Sequence, residues 1–206
     1  MGSYIHLIRH GTTEGNIKRL YYGNSDIPLL EEGRQLISSL LESGIYPVAE
    51  DADFYTSGLK RTEETFHIIF GETEHTVIEE LQEMHFGDFE MHSYEELKEN
   101  KFYLEWIEDK SGENIPPNGE SRVMFAERVV KGFQKVIDFH RLKELSVRHS
   151  GKDIHSIVVC HGGVISAIMS TYFPNEKNHF FAWLPELGHG YTLELKEGTP
   201  TGYIAF

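Results

Sequence analysis

The chain has 206 residues, of which 39% are hydrophobic and 25% charged, with a formal net charge of -14: enough for one full-sized core, in the balance of a globular protein. The acid excess argues against nucleic-acid and anionic-membrane partners, which need a basic face, yet leaves room for a small anion held by a few clustered arginines. One cysteine, Cys160, excludes an internal disulfide; with no charged and apolar leader and no apolar run near the ~20 residues of a membrane span, the expectation is a cytoplasmic protein.

Residues 3–9 read as a buried strand that ends abruptly in Arg9-His10-Gly11. A turn-rich stretch from Tyr21 to Pro28 precedes a helix opening at Glu31-Glu32-Gly33, with Leu36, Ile37, Leu40 and Leu41 on one face. Residues 52–56 form a short strand, and Ser57 is the expected N-cap of a helix from Gly58 to about Phe70, stopped by Gly71. Thr76-Val77-Ile78 is another short strand. Residues 93–110 look helical but weakly patterned, and 111–119 is a loop containing Pro116 and Pro117. A long helix then runs from about Ser121 to near Gly151. Residues 156–160 are a second strongly apolar strand, followed by a helix over 164–171. Two closing strands, 190–196 and 202–206, are joined by a Gly-Thr-Pro-Thr-Gly turn. This alternation predicts an α/β layer structure with a largely parallel sheet, in a single domain over 1–206 interrupted by a small cap at about 87–119.

Two of these strands end alike, one in Arg9-His10-Gly11 and one in Cys160-His161-Gly162-Gly163. Ligands of open α/β sheets bind at the carboxyl ends of strands, so both histidines converge on one point. The glycines permit close backbone approach, and the following helix offers unpaired N–H groups to an anion. Either histidine alone reads as the partner of a loop carbonyl; the pair reads as a site. Tyr55-Thr56-Ser57-Gly58-Leu59-Lys60-Arg61 adds a third strand end, with Arg61 in the first helical turn, where the macrodipole favours an acid. Arg9 and Arg61 together supply forked donors that match a phosphate, and Asn16, Thr12 and Thr13 add neutral ones. Cleaving a phosphate ester also requires an acid for the leaving alkoxide. Glu79, Glu80, Glu83, Asp88 and Glu90 all lie close in sequence, and composition does not choose among them.

The stretch Leu7–Asn16 resembles the signature of the histidine phosphatase superfamily, the phosphoglycerate mutase-like proteins. Tyr55–Thr62 is similar to that family's second motif, Leu81–Gly87 to its third and Val159–Val164 to its fourth, while Pro117-Asn118-Gly119-Glu120-Ser121 resembles the start of its long helix. The motifs come in family order across almost the whole chain. The resemblance implies a three-layer sandwich with helices on both faces of a mostly parallel sheet. It implies a phosphatase in which His10 is the nucleophile that forms a phosphohistidine. Arg9, Arg61 and His161 would bind the phosphoryl oxygens, assisted by Asn16 and the Gly162 N–H, with Thr13, Tyr22 and Gly23 as further substrate-binding positions. Glu83 would protonate the leaving group and then activate water. Positive surroundings favour a neutral, nucleophilic His10. The scheme needs no metal or other cofactor; the expected partner is a small-molecule phosphomonoester, and a second copy of the chain is kept as a candidate for a homodimer.

Departures from the family pattern fall at Leu30, Gly58, Thr62, Glu64 and Met91, the last placed to narrow the substrate mouth. Among alternatives, a cofactor-dependent mutase would want basic residues after the third motif, where 88–114 holds only Lys98, Lys101 and Lys110 among many acids. Tyr94, Phe102, Tyr103 and Trp106 in that stretch read as packing. A metal-dependent phosphoesterase would need His6 beside His10 and His161, but His6 lies ~6.6 Å back along the strand. A non-catalytic phospho-ligand binder is the third alternative.

Overall fold

The computed structural model describes residues 2–47, 50–147 and 151–206. Among the described residues, six strands, β1 (Ser3–Arg9), β2 (Asp53–Thr56), β3 (Thr76–Val77), β4 (Ile154–Cys160), β5 (Gly190–Lys196) and β6 (Thr199–Ala205), form one sheet in the order β3-β2-β4-β1-β5-β6. The β1–β4, β4–β2 and β2–β3 pairings are parallel, whereas β5 runs antiparallel to both β1 and β6. The β1–β4 register runs from Ser3 opposite Ile154 to Arg9 opposite Cys160. Both strands therefore stop at the same level, and the next residues, His10 and His161, leave the sheet side by side.

Among the described residues the α-helices are, in chain order, α1 (Glu14–Lys18), α2 (Glu31–Glu42), α3 (Lys60–Phe70), α4 (Tyr94–Leu97), α5 (Lys101–Ile107), α6 (Arg122–Val147) and α7 (Gly162–Tyr172). Leu7, Val158 and Cys160 pack with Val129, Phe133, Ile165 and Met169 of α6 and α7. Ile8, Ile157 and Val159 pack on the other side with Ile37, Phe66 and Ile69 of α2 and α3. Successive strand residues point to opposite faces, so a strand covered on both faces reads as one continuous apolar run. The expected three-layer α/β architecture is the one observed.

Several local expectations change. Leu41 is exposed while Ile37 is fully buried, so the buried stripe of α2 is narrower than the apolar residues implied. The expected helix over 93–110 is two helices, because Asn100 accepts from the Phe102 and Tyr103 N–H groups and starts α5 afresh. The β5–β6 turn is Glu197-Gly198, both with positive φ (52° and 78°). Such a two-residue turn matches the twist of the strands it joins, and Thr199–Gly202 therefore lies inside β6 rather than forming the loop. The long helix begins with Ser121 Oγ accepting from Met124 N–H; it is described to Val147, and residues 148–150, which lead to its expected end near Gly151, lie outside the described residues. Within 87–119, Phe89, Tyr103 and Trp106 join the same apolar cluster as Leu81 and Phe125, while Tyr94 and Phe102 are exposed. Among the described residues no helix is long and apolar enough to cross a membrane.

Candidate active site

At the end of β1, His10 is 3% exposed and its Nδ1–H donates to Gly11 O at 2.8 Å. A carbonyl can only accept, so the ring proton sits on Nδ1 and Nε2 presents a lone pair. Burial, then the charges of Arg61 and Arg9, hold the His10 pKa well below its ordinary value, against the opposing pull of the Gly11 carbonyl. Gly11 itself makes room for the fold rather than for a ligand: a Cβ there would lie 2.9 Å from Ile37 Cγ1 and 3.0 Å from Gly33 O.

His161, at the end of β4, is fully buried with its ring centroid 5.3 Å from that of His10. Its protonation follows from its partners. Arg61 Nε–H donates to His161 Nδ1 at 3.2 Å, so the proton is on Nε2 and donates to Ser57 Oγ at 2.7 Å. Ser57 passes its own proton to Thr62 Oγ1, 3.0 Å away, and Thr62 donates to Leu59 O at 2.7 Å. The imidazole is neutral, its pKa driven down by burial and then by Arg61, His10 and Arg9. Ser57 is therefore not the helix cap expected from its position: the N-cap is Leu59, which makes no side-chain cap bond, and Ser57 is spent on His161.

Arg61 enters from the first turn of α3 and is 0% exposed. Its Nη1 and Nη2 donate to Ser25 O (2.9 Å) and Gly23 O (2.8 Å), and its guanidinium carbon lies 5.0 Å from the Tyr22 ring centroid. Arg9 donates from Nη1 to Pro185 O at 2.6 Å, and its buried Nε has no hydrogen-bond partner among the described residues. Burial lowers both arginine pKa values, yet a guanidinium stays charged in proteins. No described carboxylate is hydrogen-bonded to either. Two cations without bonded counter-ions, beside two neutral imidazoles, make a receptor for a dianion.

Glu83 completes the cluster. Its Oε2 accepts the Gly163 N–H at the start of α7 (2.8 Å), and Oε1 accepts the Met84 N–H (2.9 Å). A Cβ on Gly163 would lie 2.3 Å from Glu83 Oε1, and one on Gly162 would lie 3.0 Å from Arg9 Nε. Here Gly163 does admit a functional group to the helix start, whereas the nearest neighbour of a Cβ on Gly162 is Leu184 Cδ1, at 2.4 Å. From α6, Arg128 grips the turn that carries Glu83, donating to Glu80 O (2.9 Å), Gln82 O (3.0 Å) and Glu83 O (3.3 Å). It also pairs with Glu120, whose Oε1 accepts the His85 N–H at 2.9 Å.

The remaining expected positions surround this cluster. Asn16 Oδ1 accepts the Thr13 N–H at 2.9 Å in the capping box of α1. Thr13 Oγ1 lies 2.9 Å from the Tyr22 hydroxyl. Gly23 reaches the cluster through its carbonyl on Arg61. Met91 borders a depression with Glu14, Lys18, Leu20, Ser93 and Glu96, not the histidines. His6 takes no part: its ring nitrogens lie 2.9 Å from Thr192 Oγ1 and 2.9 Å from His155 Nδ1. Sequence reasoning missed Ser57 as the partner of His161, and Arg128 with Glu120 as the holders of the Glu83 turn. The only signal for the latter was the Pro117–Ser121 segment, whose Glu120 pairs with His85, 35 residues earlier.

The family model described as histidine phosphatase superfamily (branch 1) matches residues 5–202. The adenosylcobalamin/alpha-ribazole phosphatase of Escherichia coli K12 is 30% identical over 80% of this chain and 76% of its own length. A 2,3-bisphosphoglycerate-dependent phosphoglycerate mutase of Parvibaculum lavamentivorans is 31% identical over 77% of this chain and 80% of its own. The crystal structure of the alpha-ribazole phosphatase from Shigella flexneri superposes with a TM-score of 0.75 at 25% identity, covering 96% of this chain and 93% of that one.

Proposed function

The chain belongs to the histidine phosphatase superfamily, and from that premise we propose that it hydrolyses small organic phosphomonoesters through a phosphohistidine on His10, as one domain capped by 87–119. The observation that carries this reading is a neutral imidazole with a free Nε2, flanked by the fully buried Arg61 and the half-buried Arg9, neither of them hydrogen-bonded to a described carboxylate. The Nε2 lone pair attacks phosphorus as the ester P–O bond breaks, and Glu83 gives its proton to the leaving oxygen. Phosphorylation makes the ring cationic, and the Nδ1–H bond to Gly11 O supports that charge. Arg9 and Arg61 stabilise the equatorial oxygens. An arriving phosphoryl oxygen competes with Ser57 for the Nε2–H of His161. Water then attacks the phosphohistidine, Glu83 takes its proton, and the N–P electron pair returns to His10.

The mutase relatives define the second reading, since they share the family. The cap argues against it: it carries only three lysines, of which Lys98 donates to Glu95 and Lys101 lies 3.7 Å from Glu105, so two of the three are matched within the cap itself. The alpha-ribazole phosphatase relatives make a ribazole phosphate the first substrate to try, and the single cysteine supports a reducing cytoplasmic setting. The test is a phosphomonoester panel beside a bisphosphoglycerate-dependent mutase assay. Hydrolysis that survives EDTA, with acid-labile phosphate trapped on the wild type and lost in His10→Ala, is expected. Turnover unaffected by His10→Ala would sink the mechanism.

A further inference from the structure

Among the acids that looked interchangeable in sequence, Glu90 stands apart. Its carboxylate accepts five hydrogen bonds: from the N–H groups of Gly23 (3.0 Å), Asn24 (3.1 Å), Ser25 (3.1 Å) and Phe86 (3.0 Å), and from Ser25 Oγ (2.6 Å). These donors are not random surface amides. The peptide joining Gly23 and Asn24 gives its N–H to Glu90 and its C=O to Arg61 Nη2 at 2.8 Å. Ser25 also donates its N–H and hydroxyl to Glu90, and its C=O, in the following peptide, accepts from Arg61 Nη1 at 2.9 Å. A peptide held between a carboxylate at its N–H end and a guanidinium at its C=O end is polarised from both sides and becomes a stronger acceptor. The turn has no slack: a Cβ on Gly23 would lie 1.6 Å from Met84 O, the residue after Glu83. The Phe86 N–H bond ties Glu90 to that same segment.

We infer that Glu90 is a positioning residue that holds Arg61 in register through the Gly23–Ser25 turn and fixes that turn against the segment carrying Glu83. It touches no substrate; it acts through the guanidinium. The inference rests on the reading of Arg61 as a phosphoryl ligand, and the test separates the two.

Orthovanadate binding is measured by calorimetry on the full chain for wild type, Glu90→Gln, Arg61→Met and the double variant, with near-UV circular dichroism as the check on folding. Glu90→Gln removes the charge and turns an NH2 towards N–H donors; it weakens vanadate about tenfold, and Arg61→Met about a hundredfold. In the Arg61→Met background, Glu90→Gln changes binding by less than about twofold, because the group it acts through is gone. Equal weakening in both backgrounds, or none in the wild type, overturns the inference. Vanadate binding unchanged by Arg61→Met would instead remove the role given to Arg61. Should Glu90→Gln fail to fold, Ser25→Ala decides: about twofold weaker binding in the wild type and no change beside Arg61→Met support the inference, and any other pattern overturns it.

Discussion

Ser57 shows how much one hydroxyl can settle. It accepts the Nε2–H of His161 and donates to Thr62, so it forces the tautomer in which His161 Nδ1 accepts from Arg61. Ser57→Ala leaves a fully buried N–H without a partner, at a cost of about 1–3 kcal/mol. The expected outcome is a lower thermal midpoint and a kcat/KM reduced about tenfold, read from melts and steady-state kinetics on one substrate. Recovery in Ser57→Thr, which restores the hydroxyl, ties the effect to the hydrogen bond. His10 adds a second prediction. Because burial and two guanidinium groups hold it well below the usual imidazole range, its Cε1 proton resonance stays at the neutral position through the pH range in which a free imidazole titrates. A titration midpoint near 6.5 in that resonance would contradict the electrostatic reading.

At the scale of elements, the site is a meeting of helix starts and strand ends held from behind. α7 begins directly after His161 and offers Gly163 N–H to Glu83, the arrangement in which a helix N-terminus favours a carboxylate. α6 supplies Arg128, whose planar fork spans three carbonyls of the Glu83 turn. A lysine keeps the charge but not the fork. Arg128→Lys is therefore expected to lower kcat about tenfold while vanadate affinity stays within about threefold, since the phosphate clamp is untouched and only the proton donor is misplaced. Vanadate weakened as much as kcat falls would mean that Arg128 supports the whole cluster rather than the Glu83 turn.

Across the molecule, the parallel sheet separates two kinds of buried histidine. At the carboxyl ends of β1 and β4 lie His10 and His161. Farther back, His6 contacts His155, and His140 bridges Ser3 and Ser156 at 2.9 Å each. Burial is the largest cause in each of these three, pushing His6 to about 3 and His140 to about 4, with His155 also lowered. The sign follows from proton uptake. Below about pH 6.5 the unfolded chain binds protons that the folded protein refuses, so stability present above that pH is lost as pH falls. His6 and His140 each contribute a slope of up to about 1.4 kcal/mol per pH unit between about pH 6.5 and their folded values. Urea midpoints are expected to fall steadily from pH 7 to about pH 5, and His6→Asn to flatten that fall; midpoints independent of pH over this range would refute it.

What the sequence alone determined is what local chemistry can carry. An apolar run that stops at Arg9-His10, another that stops at His161, and Arg61 in a first helical turn are each legible within a few residues. The parallel-sheet rule then brings their strand ends together. The α/β layering and the candidates Arg9, His10, Arg61 and His161 followed from those segments, whereas Glu83 was singled out among its acidic neighbours only by the resemblance to the family. Tertiary structure alone decided the rest: that Ser57 serves His161 rather than capping α3, that Glu90 differs from its acidic neighbours, and that Arg128 and Glu120 hold the Glu83 turn. The physical reason is separation along the chain. A carboxylate or hydroxyl has the same local propensity whether it is solvated, capping a helix or gripping a loop 65 residues away, and only the fold chooses its partner.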